Sequence, residues 1–269
     1  MTIAAVLIAS LAIAAIPFQD NGKLVSVRAR VNGFPALRLT LDTGASASVL
    51  DSDVAHSLRL RASGVHVGSG AGAGAVRYQI FRNVSFAASE VRWTAPVAYG
   101  ISLRNVGTQE REDGLIGSDF FRRYVVSIDY RAHRLGIFRP STFIYAGHGR
   151  AVPLFFAHHR PFVAVLVKVA GIPARRRNLL IDTGSEDMLD DGLIAQSTAR
   201  TRLLSAGVGL GHRFASVYGP IQWASIAGYT IHNLNGVSGG VPLIGQSVLR
   251  HFVITLDYTH RLAYFELQR

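Results

Sequence analysis

Two aspartates of this 269-residue chain, Asp42 and Asp182, each begin an Asp-Thr-Gly tripeptide that follows an apolar segment. Seen once, such a tripeptide indicates only a β-turn in which the aspartate accepts backbone hydrogen bonds. Two carboxyl groups within hydrogen-bonding distance of each other cannot both ionise, so one pKa rises and the other falls. The ionised member can take a proton from a bound water, while the protonated member donates to a substrate carbonyl. If the fold brings the two tripeptides together, these residues predict a water-activating site.

The residues after each aspartate suit a close approach between two loops. Gly44 and Gly184 allow the backbone to turn tightly and to approach a partner loop, because glycine has no β-carbon. Thr43 and Thr183 each offer a hydroxyl that can hydrogen-bond to the backbone of the opposite loop, which a valine of the same shape cannot do.

The tripeptides belong to a larger repetition, in which four blocks of sequence recur in the same order. The matched blocks are residues 25–35 and 163–173, 41–45 and 181–185, 115–117 and 243–245, and 125–130 and 253–258. Each unit has about 120–130 residues, which is an ordinary domain size. We therefore predict a signal peptide or membrane anchor at 1–22, a first unit at 23–140, a linker at 141–152 and a second unit at 153–269.

Short apolar alternations separated by glycine or proline predict strands rather than long helices. In residues 25–31, apolar side chains alternate with serine and arginine, which is the period of two expected of a half-buried strand. One helix per unit is predicted over 118–124 and 246–252, where apolar residues return at helical spacing. The sequence thus predicts an all-β protein of two small β-barrel units, each with a short helix.

The strand with its Asp-Thr-Gly loop, and the later apolar-apolar-Gly followed by a helix, resemble the retropepsin-like and pepsin-like aspartic peptidases. The resemblance covers about residues 24–269 and is to a bacterial, exported member with two fused retropepsin-type units. It implies that Asp42 and Asp182 are the catalytic pair, at the base of a cleft between the units. It also implies roles in supporting the active-site loops for Thr43, Gly44, Ala45, Thr183, Gly184, Ser185, Gly117 and Gly245.

The residue that follows each tripeptide differs between the units, with Ala45 in the first and Ser185 in the second. The Ser185 hydroxyl can hydrogen-bond to the outer oxygen of Asp182 and so favour the charged form of that carboxyl group. We therefore predict that Asp182 is the more easily ionised partner and that Asp42 carries the shared proton.

Glycine-rich segments follow both aspartates at matching distances. The segment 68–74 begins 26 residues after Asp42, and the segment 207–211 begins 25 residues after Asp182. The resemblance makes these segments candidate flaps that close over a substrate. A phosphate-binding glycine loop would need a helix directly after it, whereas residues 75–80 read as a strand. The candidate substrate-binding glycines are Gly68, Gly70, Gly72, Gly207 and Gly209.

Residues 1–16 are almost wholly apolar, and a polar turn follows them. The run resembles the hydrophobic part of a secretory signal, and residues 12–14 (Ala-Ile-Ala) suit a cleavage site. We therefore predict a periplasmic or secreted protein, with an uncleaved membrane anchor as the alternative. A buried strand is disfavoured because this alanine-rich run lacks strand alternation. The absence of cysteine excludes disulfides and thiol chemistry without fixing the compartment.

The formal net charge of +11 raises the question of nucleic-acid binding. The arginines are scattered and no nucleic-acid-binding motif is found, so no nucleic-acid partner is predicted. His158 and His159 are neighbours that would face opposite ways on a strand, which disfavours a shared metal ion. The acidic pairs at 186–187 and 190–191 can bind a cation, but the capping of a turn is favoured. No metal or organic cofactor is predicted.

Together these observations predict an aspartic endopeptidase that binds an extended polypeptide as an added strand. Because one chain supplies both units, the protein is expected to work as a monomer. One alternative is a non-catalytic peptide-binding or envelope scaffold protein on the same fold. Another is a chain whose units pair with their counterparts in a second chain.

Overall fold

The computed structural model describes residues 10–69, 74–104, 112–206 and 214–268. Strands dominate these residues and the α-helices are short, so the prediction of an all-β protein is confirmed. The division into a leader, two units and a linker stays a prediction.

The first half contains two α-helices, α1 (Ser52–Ser57) and α2 (Ser118–Phe121), in its described residues. Its strands are β1 (Ala14–Pro17), β2 (Gln19–Asp20), β3 (Val25–Val31), β4 (Leu37–Leu41), β5 (Val49–Asp51), β6 (Gly64–Ser69), β7 (Ala75–Ala88), β8 (Val91–Ile101), β9 (Gly114–Ile116), β10 (Val125–Asp129) and β11 (Arg134–Phe138). A short 3-10 helix, Pro140–Thr142, leads into the second half.

The second half contains α3 (Gln246–Leu249) and a 3-10 helix, Ile194–Gln196. Its strands are β12 (Arg150–Pro153), β13 (Phe155–Ala157), β14 (Arg160–Lys168), β15 (Arg175–Ile181), β16 (Leu189–Asp190), β17 (Arg202–Ala206), β18 (Phe214–Ile226), β19 (Tyr229–Ser238), β20 (Leu243–Ile244), β21 (Phe252–Asp257) and β22 (Leu262–Leu267).

In each half, eight strands form a sheet that closes on itself. In the first half the strand order is β2-β3-β4-β9-β5-β8-β7-β6, and an additional pairing between β3 and β7 closes a ring. The second half has the order β13-β14-β15-β20-β16-β19-β18-β17, with β14 and β18 closing the ring. Apolar side chains that alternate with polar ones along the strands fill the interior of both rings. In β3, for example, Val27, Ala29 and Val31 are buried while Arg28 and Arg30 are exposed.

A third sheet contains strands from both halves, in the order β1-β11-β10-β21-β22-β12. β10 of the first half pairs with β21 of the second, so the two rings share a common base. β1 at the edge pairs with β11 and buries Ile16. The expectation that the alanine-rich run lacks strand structure is therefore wrong for residues 14–17, because pairing with β11 outweighs the weak alternation. Export remains a prediction.

The helices are shorter than the sequence predicts. α2 and α3 begin where expected, but each ends after a single turn, since their apolar residues enter the core and strands follow closely. α1 was not predicted. Asp51 caps it by accepting hydrogen bonds from the backbone N–H groups of Asp53 and Val54, a signal too short to show helical periodicity. Among the described residues, the helices are too short to span a bilayer.

Candidate active site

Each aspartate of the two tripeptides lies just beyond a strand that is held by a parallel neighbour. β4 pairs with β9, and the backbone N–H of Asp42 donates to the carbonyl of Ile116 at 3.0 Å. β15 and β20 pair in the same way, and the N–H of Asp182 donates to the carbonyl of Ile244 at 3.0 Å. The parallel pairing therefore fixes the point at which each loop leaves its sheet.

Gly117 and Gly245 directly follow these supporting strands and lie against the aspartate loops. A β-carbon on Gly117 would overlap the backbone of Ala47. A β-carbon on Gly245 would lie 2.8 Å from the carbonyl oxygen of Ser185. Glycine at both positions thus allows each loop to pack directly on the backbone of its supporting segment.

The two loops are joined by reciprocal hydrogen bonds through their threonines. The hydroxyl of Thr43 donates to the carbonyl of Ile181 at 2.6 Å, and that of Thr183 donates to the carbonyl of Leu41 at 2.7 Å. Each hydroxyl also accepts the backbone N–H of the opposite threonine, at 3.0 Å in both cases. Both threonines are fully buried. Because a buried polar group without a partner costs about 1–3 kcal/mol, this interlock holds the loops in register.

The interlock brings the two carboxyl groups into contact. Both carboxyl groups are buried, and each lies against the loop that carries the other. A β-carbon on Gly44 would lie 2.6 Å from the Oδ2 atom of Asp182, and one on Gly184 would lie 2.6 Å from the Oδ1 atom of Asp42. Each carboxyl group therefore occupies the space that glycine leaves open on the opposite loop, so the predicted approach of the tripeptides occurs.

Burial dominates the electrostatics of the pair. It raises the pKa of Asp42 to about 6, although backbone N–H groups of Gly44 and Ala45 donate to this carboxylate and lower its pKa. Burial also raises the pKa of Asp182 to about 8, with a further increase from the negative charge of Asp42. The Asp182 carboxyl accepts from the N–H of Gly184 at 2.9 Å. The larger number of backbone donors favours an ionised Asp42 and a protonated Asp182.

This assignment reverses the expectation based on Ser185. The Ser185 hydroxyl accepts the backbone N–H of Asp187 at 3.2 Å and lies 3.5 Å from the Oδ2 atom of Asp187. It therefore closes its own turn instead of reaching Asp182. The predicted hydrogen bond from Ser185 to Asp182 is therefore not formed, because the local turn competes for the hydroxyl.

The family model described as aspartyl protease matches residues 27–120. This segment contains the Asp42 loop, its supporting strand and Gly117, whose geometry is given above. Residues 27–120 are therefore similar in sequence to the aspartyl protease family. No curated protein matches the chain. The loop of Asp182 lies outside the matched segment, yet it contacts the Asp42 loop through the threonine interlock.

The candidate flap glycines are only partly described. Gly68 lies near the end of β6, which pairs along its whole length with β7. Gly70, Gly72, Gly207 and Gly209 lie outside the described residues. The segment after the first glycine run is strand β7 and not a helix, which excludes the phosphate-binding alternative for that run.

The acidic residues after the second tripeptide make contacts within the protein, and those at 190–191 close turns. Asp190 accepts the backbone N–H groups of Gly239 and Gly240, while Asp191 pairs with Arg177 at 2.7 Å. Glu186 pairs with Lys23 of the first half at 2.9 Å. The histidines at 158–159 form the tight turn between β13 and β14. Within the described ranges, metal-ligating residues do not cluster in threes.

Two residues near the carboxyl pair were not predicted as part of the site. The positive charge of Arg160 lowers the pKa of both Asp42 and Asp182. The hydroxyl of Tyr258 is buried beside the same pair and has no hydrogen-bond partner in the described parts of the chain. Sequence patterns do not reveal either contact, because both depend on the register of distant strands.

Proposed function

We propose that this protein is an aspartic endopeptidase that hydrolyses extended polypeptides with a water activated between Asp42 and Asp182. The observation that carries the proposal is the close approach of the two buried carboxyl groups across the threonine interlock. Raised pKa values of about 6 and about 8 leave the pair with a single proton near neutral pH. That is the protonation state which general acid–base hydrolysis requires.

The proposed reaction uses each carboxyl group in turn. Ionised Asp42 takes a proton from the water as its oxygen bonds to the peptide carbonyl carbon, while protonated Asp182 donates its proton to the carbonyl oxygen. The tetrahedral intermediate then loses its amine when Asp42 returns the proton to nitrogen and the C–N bond breaks. Asp182 recovers its proton from the intermediate's hydroxyl as the new carboxyl group forms, so protons balance over the cycle.

Each half of the chain supplies one of the two carboxyl groups, so we propose that a single chain is active. The interlock joins residues of one chain, and binding between the halves does not depend on protein concentration. Sedimentation of the active protein should give the mass of a monomer. Activity that appears only with dimers would contradict this part of the proposal.

The test is a peptide-library digest with wild type, Asp42→Asn and Asp182→Asn, with products identified by mass spectrometry. Each substitution removes one of the two acid–base groups, so we expect turnover to fall about a thousandfold or more. Asp53→Asn, which changes an exposed aspartate paired with Arg104, is the matched control and should retain activity. Substantial turnover by either active-site variant would refute the shared-proton mechanism. Peptide binding without any cleavage by wild type would favour the scaffold alternative.

A further inference from the structure

Arg160 lies near two acidic residues but has no hydrogen-bonded or ion-paired partner among the described residues. Its Nε atom is buried without a hydrogen-bond acceptor, and its side chain has no ion pair within the described ranges. Arg177, Arg250 and Arg104, by contrast, each bind a carboxylate at 2.5–2.7 Å. An enclosed donor left unpaired costs about 1–3 kcal/mol, so a partner from outside the chain would remove this penalty.

The strand register places Arg160 next to the catalytic pair. β14 and β15 are antiparallel, with Val163 opposite Leu179 and Phe162 opposite Leu180. The pairing ends at Phe162 and Leu180, and extending its register by two residues predicts that Arg160 lies opposite Asp182. Residues directly opposite on neighbouring strands have β-carbons about 4.5–5.5 Å apart. The effect of the Arg160 charge on both aspartates agrees with this position.

The first half has no equivalent charge at this place. There Ser26 lies opposite Thr40, and the same continuation puts Leu24 opposite Asp42. Leu24 is buried and apolar. The difference arises because the turn between β14 and β15 is longer than the turn between β3 and β4, which shifts the register. The site is therefore apolar on one side of the carboxyl pair and cationic on the other.

The chain also lacks a carboxylate in the matching position to neutralise Arg160. Lys23, in the turn of the hairpin formed by β2 and β3, pairs with Glu186, the fourth residue after Asp182. The fourth residue after Asp42 is Ser46, which is uncharged and therefore cannot form an ion pair with Arg160. The positive charge of the β2–β3 hairpin is thus neutralised by a carboxylate of the second half, whereas that of the hairpin formed by β13 and β14 has no such partner in the described residues.

We propose that Arg160 binds a carboxylate of the substrate beside the scissile peptide bond, and this inference rests on the proposed peptidase function. A guanidinium group presents paired N–H donors that fit the two oxygens of a carboxylate, and such charge-assisted bonds are stronger than neutral ones. The carboxylate can come from an aspartate or glutamate side chain or from the C-terminus of a peptide. In both cases the substrate supplies the acceptor that Arg160 lacks.

The experiment compares matched peptides that differ only in the carboxylate. A cleaved peptide is remade with glutamate or glutamine at each position around the scissile bond, and with a free or an amidated C-terminus. For wild type we expect kcat/KM to be roughly 10- to 100-fold higher for one carboxylate form than for its neutral counterpart. The series that shows the preference identifies a side chain or a C-terminus as the source.

Variants at position 160 connect the preference to this side chain. Arg160→Gln should bring the ratio between charged and neutral peptides close to one, while Arg160→Lys should retain part of it. The ratio compares two substrates on one enzyme, so partial loss of folded protein does not affect it. Arg176→Gln, on the exposed face of β15, is the matched control and should keep the wild-type ratio.

The outcomes separate this inference from the proposed function. If wild type cleaves peptides without a carboxylate preference, or if Arg160→Gln keeps the preference, the inference is overturned while the peptidase survives. If wild type cleaves nothing, the proposed function fails. Fluorescence anisotropy of the same peptides on Asp42→Asn, with and without Arg160→Gln, then tests the carboxylate site by binding alone. Equal affinity for charged and neutral peptides would overturn the inference there as well.

Discussion

The hairpins β2–β3 and β13–β14 occupy matching positions in the two halves but make different contacts. In the first, Asp20 accepts hydrogen bonds from both terminal nitrogens of Arg250, at 2.5 and 2.7 Å. Lys23 of the same hairpin lies 2.9 Å from Glu186. Both of these partners belong to the second half. The second hairpin contributes Arg160, which is unpaired within the described chain.

The Asp-Thr-Gly loops behave in the opposite way, since every cross-contact of Thr43 has its counterpart at Thr183. These loops touch each other, so a change in one alters the partner of the other. The hairpins touch different residues in each half, so one can change without harm to the other. The interlock therefore keeps the two loops assembled, while the hairpins are free to differ between the halves.

The largest effect is expected from breaking the symmetric interlock. Thr43→Val or Thr183→Val removes a hydroxyl that both donates and accepts, leaving a buried carbonyl and a buried N–H unpaired. We expect each to lower the free energy of unfolding by about 3 kcal/mol, equivalent to roughly 10 °C in Tm. Urea denaturation measures the loss, and peptide cleavage should fall as the carboxyl groups separate.

The matched controls are Thr43→Ser and Thr183→Ser, which keep the hydroxyl and should keep most of the stability. The two valine variants should agree within about 0.5 kcal/mol, because the interlock is reciprocal. A large difference between the two would show that the loops are not equivalent, and the comparison with the hairpins would lose its basis.

The interlock is also the part of the site that the sequence predicts best. A short motif with a fixed role for each atom, repeated behind two apolar strands, requires few assumptions about distant structure. Strand alternation likewise identified β3 and β14, because a period of two is a local property. Gly117 and Gly245 could be placed because each follows a supporting strand directly.

Contacts that depend on register or on competing local partners were not predictable. Ser185 bonds within its own turn to Asp187, and nothing in the sequence ranks that partner against Asp182. The position of Arg160 follows from a longer turn that shifts β14 against β15, and register is set by the whole sheet. Strand β1 exists because β11 offers an edge to pair with, although its own pattern is weak.

An intermediate effect is expected from the ion pair that distinguishes the first hairpin. Asp20→Asn leaves the partly buried Arg250 without its carboxylate, so we expect a loss of about 2 kcal/mol at pH 7. Lys23→Gln is the matched comparison, since the Lys23–Glu186 pair is more exposed and its loss should cost less than about 1 kcal/mol. Equal losses from the two variants would contradict the ranking of these contacts.

The Asp20 effect should depend on pH in a defined direction. Burial raises the pKa of Asp20. Hydrogen bonds from Arg250 and Gly22, together with the charge of Arg250, lower it by a larger amount, so the net shift is downward. A depressed folded pKa gives stability that is present at neutral pH and is lost as the carboxylate is protonated. The difference in Tm between wild type and Asp20→Asn should therefore shrink as pH falls below the ordinary value of 3.8. A difference that is unchanged in acid would exclude the ion pair as its cause.

An effect with the opposite pH dependence is expected from removing charge at the carboxyl pair. The pKa of Asp182 is raised by burial and by Asp42 to about 8, against 3.8 for an ordinary aspartate. The folded chain therefore holds a proton that the unfolded chain releases, and wild-type stability falls as pH rises between these values. The Asp182→Asn variant has no charge to bury at this position. The Tm of the variant minus the Tm of wild type should therefore increase by several degrees between pH 4 and pH 8.5.

Differential scanning calorimetry at the two pH values measures this change, with Asp53→Asn as the control that should show no such trend. Asp42→Asn should behave in the same direction over a narrower range, because the pKa of Asp42 is raised only to about 6. A flat difference for both variants would mean that the carboxyl groups titrate as ordinary aspartates. In that case they would not share a proton near neutral pH, and the interlock would hold together a site without the proposed chemistry.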